Sequence, residues 1–440
     1  MNPPLPRSSR ALSRRAFLHT TSTAAALSAL PIERFAHAAG SDEIRIALVG
    51  CGGRGTGAVN QNLNVGKGAK LIAMADIDRD RLDKSLQILK TQHPDQVEVS
   101  MGSQFIGFDA YKDAIALCDL AFVTTPQGFH PYHLAEAVRQ GKHVFVEKPL
   151  AVDAPGVRKV LETAEEAKKK NLRIGVGLQR HHQPSYMECV KRLHDGAVGE
   201  ITSMTCYWLG NARAGLERLP GEDEMHYQLR NWYYFTWISG DFIVDQHIHN
   251  IDVINWIKKG HPVRAQGMGG RQVRNDPKLH GQIFDHHFVE FEYADGSKLS
   301  SQCRQGQRGT YQEVSEHVVG TKGRADLNVG SRLFRITGPN EWELRLKQGE
   351  DGHQLEHFPL IAAIRNGQPY NELEEAAMST MTAIMGRMAT YSGKVVEWDE
   401  AINSKLQLMP EKVAWDMPPP VLPDANGSYP VAVPGVTVAL

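Results

Sequence analysis

A lysine between a glutamate and a proline is the side chain best placed to take part in catalysis. Lys148 follows a strand-forming run at 144–146, and side chains at the carboxyl ends of parallel strands point into the crevice where such sheets bind ligands. A lysine there can orient a substrate hydroxyl and stabilise its oxyanion as hydride leaves. The alternative is a solvated strand terminus, a common position for glutamate and lysine.

A glycine-rich loop earlier in the chain predicts a dinucleotide site. The loop follows a strand-forming run and opens a helical segment, which is the context in which G-x-G-x-x-G cradles a pyrophosphate. Its candidate cofactor-binding residues are Gly50, Gly52, Gly53, Arg54 and Gly55. With Lys148 further along, the loop indicates a nicotinamide cofactor beside a cationic side chain.

An acid follows the glycine loop at the spacing expected for a ribose contact. Asp76 ends the second predicted strand, where a carboxylate accepts hydrogen bonds from the ribose hydroxyls of NAD and repels the 2′-phosphate of NADP. The alternative for Asp76 is a helix cap or a turn. Arg79 lies nearby, so NADP stays open.

Two acids and a histidine share the spacing of one helical face. Asp245, His249 and Asp252 stand at i, i+4 and i+7 within a helix expected over 240–259. His249 has the side chain best suited to removing a hydroxyl proton near neutral pH, and Asp245 could orient it or touch the substrate. The alternative is a hydrogen-bonded core network.

A metal site is a weaker interpretation of the same region. Ligand-rich stretches usually have other partners, so no metal is predicted. The side chains that raise the question are Asp245, His247, His249, Asp285, His286 and His287.

Substrate contacts are harder to infer from the sequence. Arg180 and His182 follow an apolar strand and could line the substrate cleft, although a polar edge accounts for them equally well. Tyr234 lies in a dense aromatic run at 231–237 that could stack on sugar rings, whereas core packing is the commoner role.

The first half of the chain alternates strands and helices. Strand-like runs occur at 44–49, 71–76, 120–126 and 144–146, separated by helical segments, and this order predicts a parallel, doubly wound sheet. A charged amphipathic helix is expected over 153–170.

The second half changes to period-two alternation. The segments at 201–209, 288–293 and 298–303 predict an antiparallel sheet, and a hairpin turn is expected at 293–297. The fold class is therefore α/β, with an N-terminal Rossmann domain and a C-terminal α+β domain built on a large open sheet. The predicted boundaries are 1–38 for a signal peptide, 42–165 and 166–410 for the two domains, and 411–440 for an extended arm.

Composition excludes several classes of protein. The 440 residues carry a net charge of −1, and 41% of them are hydrophobic, which is ordinary for a globular protein. Without residues 1–38 there are 44 basic and 49 acidic residues, so no nucleic-acid partner is expected. No apolar run is long enough for a membrane span. Five scattered cysteines indicate core residues rather than disulfides or zinc ligands.

The N-terminus has the pattern of an export signal. A twin-arginine sequence at 13–18 precedes a mild apolar stretch at 24–30 and an A-x-A site at 36–38. The twin-arginine route carries folded proteins, which suits an enzyme that loads its cofactor before export to the periplasm. The alternative is an uncleaved tail with a chance arginine pair.

In combination these motifs resemble the glucose–fructose oxidoreductase / inositol dehydrogenase / rhizopine-catabolism (Gfo/Idh/MocA) family. The resemblance runs from about residue 44 to about residue 398 and covers the glycine loop, Thr125-Pro126 with His130, Glu147-Lys148-Pro149, and the Asp245 to Asp252 motif. It implies a Rossmann domain, and a second domain whose open sheet covers the active site and supports a homodimer or homotetramer.

The resemblance also implies roles for particular residues. Lys148, Asp245 and His249 match the catalytic lysine, aspartate and histidine of the family. Asp252 joins the substrate candidates. The additional cofactor-side candidates are Thr125, Pro126, His130 and Glu147.

Two departures from the family pattern concern the active site. Gln127 stands where many members have asparagine after Thr-Pro. His247 stands where many have glycine two residues before the histidine, which predicts a more polar pocket.

Three functions remain open at this point. The first is an exported NAD(P)-dependent oxidoreductase that takes hydride from a secondary hydroxyl of a sugar or cyclitol, with its cofactor tightly bound. The second is a redox-assisted glycosidase, which oxidises a sugar transiently and returns the hydride without net cofactor turnover. The third is a non-catalytic sugar- or nucleotide-binding protein that kept the fold.

Overall fold

A six-stranded parallel sheet organises the first part of the computed structural model, which describes residues 43–276 and 278–440. The predicted signal peptide therefore lies outside the described residues. The strands are β1 (Ile44–Val49), β2 (Ala69–Asp76), β3 (Gln104–Ile106), β4 (Leu120–Val123), β5 (His143–Val146) and β6 (Ile174–Val176). Their spatial order, β3-β2-β1-β4-β5-β6, is that of a doubly wound dinucleotide fold.

Helices cover both faces of this sheet. They are α1 (Gly53–Leu63), α2 (Arg79–Gln92), α3 (Ala110–Leu117), α4 (His130–Arg139) and α5 (Ala154–Lys169). Strand β1 shows why both faces are buried, because Ile46 and Leu48 pack into one hydrophobic cluster and Ala47 and Val49 into another. Parallel strands buried on both faces need this continuous apolar run.

Strand β6 extends the first sheet beyond the expected domain boundary. The predicted boundary at residue 165 falls inside α5, and β6 then pairs with β5 through Val146 and Val176. All residues of β6 are buried, so its backbone N–H and C=O groups need hydrogen-bond partners within the protein. Pairing with β5 at the edge of the sheet supplies these partners.

A nine-stranded mixed sheet forms the second part. Its strands are β7 (Ile201–Asn211), β8 (Arg264–Gly270), β9 (His286–Glu292), β10 (Lys298–Gly306), β11 (Glu313–Gly320), β12 (Gly323–Asn328), β13 (Leu333–Thr337), β14 (Trp342–Arg345) and β15 (Val396–Glu397). Their order is β14-β13-β12-β11-β7-β10-β9-β8-β15. The pairing of β7 with β10 is parallel, and the predicted hairpin joins β9 to β10. The predicted fold class is confirmed.

The second part also contains helices. They are α6 (Pro184–His194), α7 (Glu224–Arg230), α8 (Thr236–Ser239), α9 (Phe242–Asp245), α10 (Ile248–Lys258), α11 (Gly352–Leu355), α12 (His357–Asn366), α13 (Leu373–Ser392) and α14 (Trp398–Ile402). The helices that contact one face of the second sheet are α6, α10, α13 and α14, whereas α11 and α12 contact α1, and α12 also contacts β6. Strands β9 and β10 alternate buried and less buried side chains, so the other face of the sheet is left open by these helices. No helix in the described part of the chain is long and apolar enough to cross a membrane.

The prediction of a single helix over 240–259 is wrong, because the helical segment is interrupted between α9 and α10. The carbonyl of Phe242 accepts hydrogen bonds from both Gln246 and His247, at 2.9 and 3.2 Å, and this doubled bond ends the first helix. Asp245 and His249 therefore belong to different helices, and their spacing does not place them on one helical face.

The segment 411–440, which the sequence predicts to be an extended arm, contains no helix or strand. Its aromatic residues attach it to the rest of the molecule. The Trp415 ring stacks on His226 at 4.0 Å and contacts the Phe108 ring at 4.7 Å, measured between centroids. Tyr429 is buried, and its hydroxyl donates to Glu224.

Candidate active site

The glycine loop forms the floor of one end of a cleft of about 840 Å3. Gly50 has φ +94°, and a Cβ there would stand 2.7 Å from the Thr124 carbonyl carbon. A Cβ on Gly55 would stand 2.1 Å from the Gly50 oxygen. By contrast, Cβ atoms on Gly52 and Gly53 would meet no atom within 4 Å. The loop is therefore closely packed at Gly50 and Gly55 and open at Gly52 and Gly53. Helix α1 begins at this open side, and the unpaired backbone N–H groups of a helix start favour an anion.

Asp76 lies beside this loop at the end of β2. Its Oδ2 accepts a hydrogen bond from the Cys51 N–H at 2.6 Å, and its Oδ1 accepts one from the Asp78 N–H at 2.9 Å. Burial raises the pKa of Asp76, and the two backbone donors oppose that rise. The carboxylate lines the cleft together with Arg81 and Lys84. A dinucleotide fits this end, because the tight loop, the helix start and the acid adjoin one open space.

Two predicted cofactor-side segments support the same wall. Thr125 and Pro126 follow β4 and line the cleft. His130 lies beneath them, with Nε2 2.6 Å from the Thr125 carbonyl oxygen and Nδ1 2.7 Å from that of Pro149. His130 thus connects the loop after β4 to the loop after β5. Burial lowers its pKa, which favours the neutral ring.

The side chain of Arg54 bonds to protein carboxylates. Its Nε lies 2.5 Å from Glu147 Oε1, and its Nη2 lies 2.9 Å from Glu356 Oε1. Burial raises the pKa of both acids. The charge of Arg54 outweighs this effect at Glu147, so the pKa of Glu147 lies below its usual value. The pKa of Glu356 lies well above its usual value, because the charge of Glu147 adds to the effect of burial. Arg54 and Glu147 line the cleft, and Arg54 carries no free charge for a cofactor phosphate.

Lys148 and Asp245 meet at the other end of the cleft. Lys148 Nζ donates to the Asp245 carbonyl oxygen at 2.6 Å and lies 3.9 Å from its Oδ1. Burial raises the pKa of Asp245, while the charges of Lys148 and Arg213 lower it. The peptide between Lys148 and Pro149 is cis. An ammonium and a carboxylate at this distance can share the oxygen and the proton of a hydroxyl group.

Gln127 completes this pair and is a residue that the sequence prediction missed. Its Nε2 donates to Asp245 Oδ1 at 2.5 Å, and its Oε1 is buried without a partner among the described residues. Gln127 also lines the cleft. Its position directly after Thr125-Pro126, and its departure from the usual asparagine, were signals that could have identified it.

His249 lies behind this pair rather than in the lining of the cleft. Its ring stacks on Trp208, with centroids 5.9 Å apart, and its Nδ1 is buried without a partner in the described part of the chain. Burial lowers the pKa of His249 well below its usual value, and the Lys148 charge adds to this effect. The ring is therefore neutral. No hydrogen bond joins it to Asp245 among the described residues.

The extra histidine of the helix motif does not make the pocket more polar. His247 is fully buried and turns towards the second sheet, where its Nε2 lies 2.7 Å from Ser301 Oγ. Burial lowers the pKa of His247 to about 3.

The four predicted substrate residues make contacts outside the lining of the cleft. Arg180 is buried and forms an ion pair with Glu316. The remaining three contacts are His182 Nε2 with Glu372 Oε1 at 3.1 Å, Asp252 Oδ2 with His181 Nε2 at 2.8 Å, and the Tyr234 hydroxyl with the carbonyl oxygen of Arg213. Compact packing gives each of these polar groups an internal partner, as burial requires.

The acid-histidine sequence at 285–287 is also a structural feature. Asp285 Oδ2 accepts hydrogen bonds from the backbone N–H groups of residues 272–274, and its Oδ1 lies 2.7 Å from His286 Nδ1. His287 Nδ1 lies 2.9 Å from Thr390 Oγ1. Within 43–276 and 278–440, no group of three or more histidine, cysteine, aspartate or glutamate side chains could hold a metal.

Two family models match this chain. One is described as an oxidoreductase family with an NAD-binding Rossmann fold and matches residues 44–177. The other is the GFO/IDH/MocA C-terminal domain and matches residues 186–326. Together they span both sheets and both ends of the cleft, in agreement with the resemblance stated from the motifs.

Curated relatives and solved structures agree with these matches. Inositol 2-dehydrogenase 3 of Saccharopolyspora erythraea is 25% identical over 368 residues, covering 80% of this chain and 95% of that protein. Inositol 2-dehydrogenase of Cereibacter sphaeroides is 27% identical over 331 residues, covering 73% and 86%. A levoglucosan dehydrogenase in complex with NADH and levoglucosan has the same fold, with a TM-score of 0.66, 14% identity, and coverage of 81% and 99%.

Proposed function

We propose that this chain, which belongs to the Gfo/Idh/MocA family of oxidoreductases, transfers hydride from a secondary hydroxyl of a sugar or cyclitol to NAD. The observation that carries the proposal is one cleft with two chemically different ends. One end joins the glycine loop to Asp76, and the other joins Lys148 to Asp245. The inositol dehydrogenases among its relatives support a polyhydroxylated substrate.

The cofactor end favours NAD. The open space above Gly52 and Gly53 suits the pyrophosphate, and the Asp76 carboxylate suits the ribose hydroxyls while repelling a 2′-phosphate. Lys84 lines the same end and would favour NADP, so the choice is tested with both nucleotides. A bound nicotinamide would supply the hydride acceptor.

The reaction end supplies charge and a proton acceptor. The Lys148 ammonium would donate to the substrate oxygen and stabilise the negative charge that develops as the neighbouring C–H bond gives up its hydride. The hydroxyl proton must pass to a base within hydrogen-bond reach. Because Asp245 lines the cleft and His249 does not, we assign that step to Asp245 and keep His249 as the alternative.

Substrate-dependent reduction of NAD tests this function. Purified protein is incubated with NAD or NADP and a panel of polyols that includes myo-inositol, D-glucose and D-galactose, and NADH is followed by absorbance. We expect NADH formation with at least one polyol and its loss in Lys148→Met. Aglycone release from a chromogenic glycoside without net NADH would indicate redox-assisted cleavage instead. Failure to bind NADH or NADPH would contradict both functions.

The assignment of the base is tested by two matched variants. Asp245→Asn and His249→Gln each remove one candidate and keep a similar volume. We expect the larger loss of kcat for Asp245→Asn, with binding of NADH retained in both variants. The reverse order would move the base role to His249.

We further propose tight cofactor binding and assembly into a homodimer or homotetramer. Protein purified without added nucleotide and then unfolded should release NAD or NADP in stoichiometric amount, identified by mass. Sedimentation of the same preparation should give the mass of two or four chains. Substoichiometric nucleotide would contradict tight cofactor binding, and a monomer would contradict assembly into a homodimer or homotetramer.

Export to the periplasm is a proposal from the sequence of residues 1–38 alone. The pair Arg14 and Arg15, the apolar stretch and the A-x-A site occur in the order of a twin-arginine signal. A double change to lysine at both arginines should leave the protein in the cytoplasmic fraction, whereas the unchanged chain is recovered from the periplasm. Equal distribution of the two proteins would contradict export by this route.

A further inference from the structure

One cation at the reaction end of the cleft has no acidic partner. Among the described residues, a carboxylate lies within 4.0 Å of four of the cations that line the cleft, namely Arg54, Arg81, Lys148 and Arg230. Lys84 and Arg213 have no such carboxylate in the same part of the chain. Lys84 lies in α2, which follows Asp76, whereas Arg213 belongs to the other end.

Arg213 is held so that its guanidinium edge stays available. It is an exposed residue two positions after the end of β7. Its guanidinium carbon lies 5.5 Å from the Trp232 ring centroid and 4.9 Å from that of Tyr233. Arginine that stacks on aromatic faces keeps its N–H donors free in the plane of the group. None of these donors has a protein acceptor among the described residues.

A buried tyrosine fixes the backbone from which this side chain extends. The hydroxyl of Tyr234 donates to the carbonyl oxygen of Arg213, and Tyr234 is 1% exposed. Tyr234, predicted from the sequence as a substrate residue, instead positions the loop that carries the cation. A fixed backbone lowers the ordering cost when the side chain binds a ligand.

Packing connects Arg213 to the reaction end. The hydroxyl of Tyr233, on whose ring Arg213 stacks, accepts a hydrogen bond from Gln305 Nε2 at 2.5 Å, and the same Nε2 lies 2.7 Å from Oε1 of Gln246, the residue after Asp245. In agreement with this placement, the charge of Arg213 acts with that of Lys148 to lower the pKa of Asp245 against the effect of burial. The glycine loop and the start of α1 would hold the cofactor pyrophosphate, so that group would not need this cation. An anion bound by Arg213 would therefore belong to the substrate.

We propose that the substrate is a sugar acid whose carboxylate binds Arg213 while its reacting hydroxyl lies at Lys148 and Asp245. This inference rests on the proposed function and names the class of substrate. A carboxylate fits better than a phosphate, because a single guanidinium neutralises one negative charge and matches its two oxygens. A phosphate dianion would leave an extra negative charge beside the Asp245 carboxylate. The carboxylate takes no part in the hydride transfer.

Matched pairs of acid and neutral sugars test the inference. D-Galacturonate is compared with D-galactose, and D-glucuronate with D-glucose, by kcat/KM for NADH formation. In the unchanged protein we expect the acid of a pair to be preferred by about tenfold or more, the range of one charge-assisted contact. In Arg213→Gln that preference should fall by about tenfold, and Arg213→Lys should recover part of it.

A charge-matched control separates the site from a general effect of net charge. Arg308→Gln removes the same charge from an exposed turn and should keep the preference of the unchanged protein. Equal rates for acid and neutral sugars in the unchanged protein, or an undiminished preference in Arg213→Gln, would overturn the inference. A preference for D-glucose 6-phosphate over both acids would overturn the choice of a carboxylate.

Binding without turnover keeps this inference separable from the proposed function. With NADH present, galacturonate should raise the melting temperature of the unchanged protein and of Arg308→Gln, but not of Arg213→Gln. Oxidation of neutral sugars alone would contradict the inference and leave the proposed function intact. Absence of oxidation for every substrate, together with the galacturonate shift, would contradict the function and support the anion site. Absence of the shift as well would overturn both.

Discussion

The two ends of the cleft are built from different parts of the chain. The cofactor end consists of a glycine loop between β1 and α1, which acts through its backbone, and of one acidic side chain at the end of the adjacent strand β2. The reaction end consists of side chains from three separate segments, in which Lys148, Gln127 and Asp245 meet through contacts across 97 and 118 positions of sequence.

This difference decides how each end responds to change. The glycine loop depends on space that only glycine leaves free, so its sensitive positions, unlike Asp76, make no contact with a ligand through a side chain. The reaction end depends on charges and hydrogen bonds, which can be removed one at a time while the backbone stays in place. Substitutions at the cofactor end should therefore affect binding of the nucleotide, whereas substitutions at the reaction end should affect turnover.

The largest expected effect on stability is at Gly55. A Cβ there would stand 2.1 Å from the Gly50 oxygen and 2.4 Å from Thr124 Oγ1, and backbone atoms cannot give way. We expect Gly55→Ala to lower the free energy of unfolding by about 3 kcal/mol, the upper range for overpacking, and to abolish NADH binding. Gly53→Ala, which adds its methyl group in open space, should change stability by less than about 0.5 kcal/mol. Chemical denaturation with NADH fluorescence measures both, and equal losses would contradict the comparison.

A smaller effect concerns the histidine that supports the reaction end from the sheet side. Folding lowers the pKa of His247 from 6.5 to about 3, so the unfolded chain binds the proton first as the pH falls. The stability from His247 is complete above about pH 6.5 and is lost towards pH 3, with a loss of about 2 kcal/mol at pH 5.

The variant His247→Gln isolates this contribution. The difference in unfolding free energy between pH 7 and pH 5 should be smaller by about 2 kcal/mol in the variant than in the unchanged protein. An identical pH dependence in the two proteins would show that His247 is not held neutral.

A still smaller effect is expected at Gln127. Its hydrogen bond to Asp245 is a bond to a charged group, and removing it costs about 1.5 kcal/mol. Gln127→Ala should therefore lower kcat by about tenfold while the dissociation constant of NADH changes little. If NADH binding weakens instead and kcat is kept, then Gln127 belongs to the cofactor end.

The smallest effect is the choice between the two nucleotides. Asp76→Asn removes the charge that disfavours a 2′-phosphate and keeps an acceptor oxygen for one of the two N–H groups, those of Cys51 and Asp78, that bond to Asp76. The ratio of kcat/KM for NAD over NADP should fall by about fivefold, equivalent to about 1 kcal/mol. Melting temperatures check that the loop is intact. An unchanged ratio would mean that Arg81 or Lys84, rather than Asp76, determines the choice between NAD and NADP.

The cofactor end was predictable because its determinants are local. The glycine spacing and the acid after β2 are visible in the sequence, and the alternation of strands and helices identified the parallel sheet and its order of elements. The amphipathic helix predicted over 153–170 became α5, which is one residue shorter at each end. Strand β6 joined the first sheet at a pairing that depends on β5, which residue patterns alone did not reveal.

The reaction end was predictable only in part because its determinants are long-range. Lys148 and Asp245 were identified by motif, and they do meet. The spacing argument that placed Asp245 on one helical face with His249 and Asp252 assumed one continuous helix, and the break after Asp245 removed its basis. Arg213 carries no local signal, because its role depends on the absence of an acidic partner across the cleft.

The most direct test of the account compares Lys148→Met with the unchanged protein in two measurements on the same samples. Methionine keeps the length of the side chain but removes the charge that would stabilise the substrate oxygen, so hydride transfer in a single turnover should fall by about a thousandfold. The dissociation constant of NADH should change by less than about threefold. Unchanged hydride transfer, or loss of NADH binding in step with turnover, would contradict the division of the cleft into a cofactor end and a reaction end.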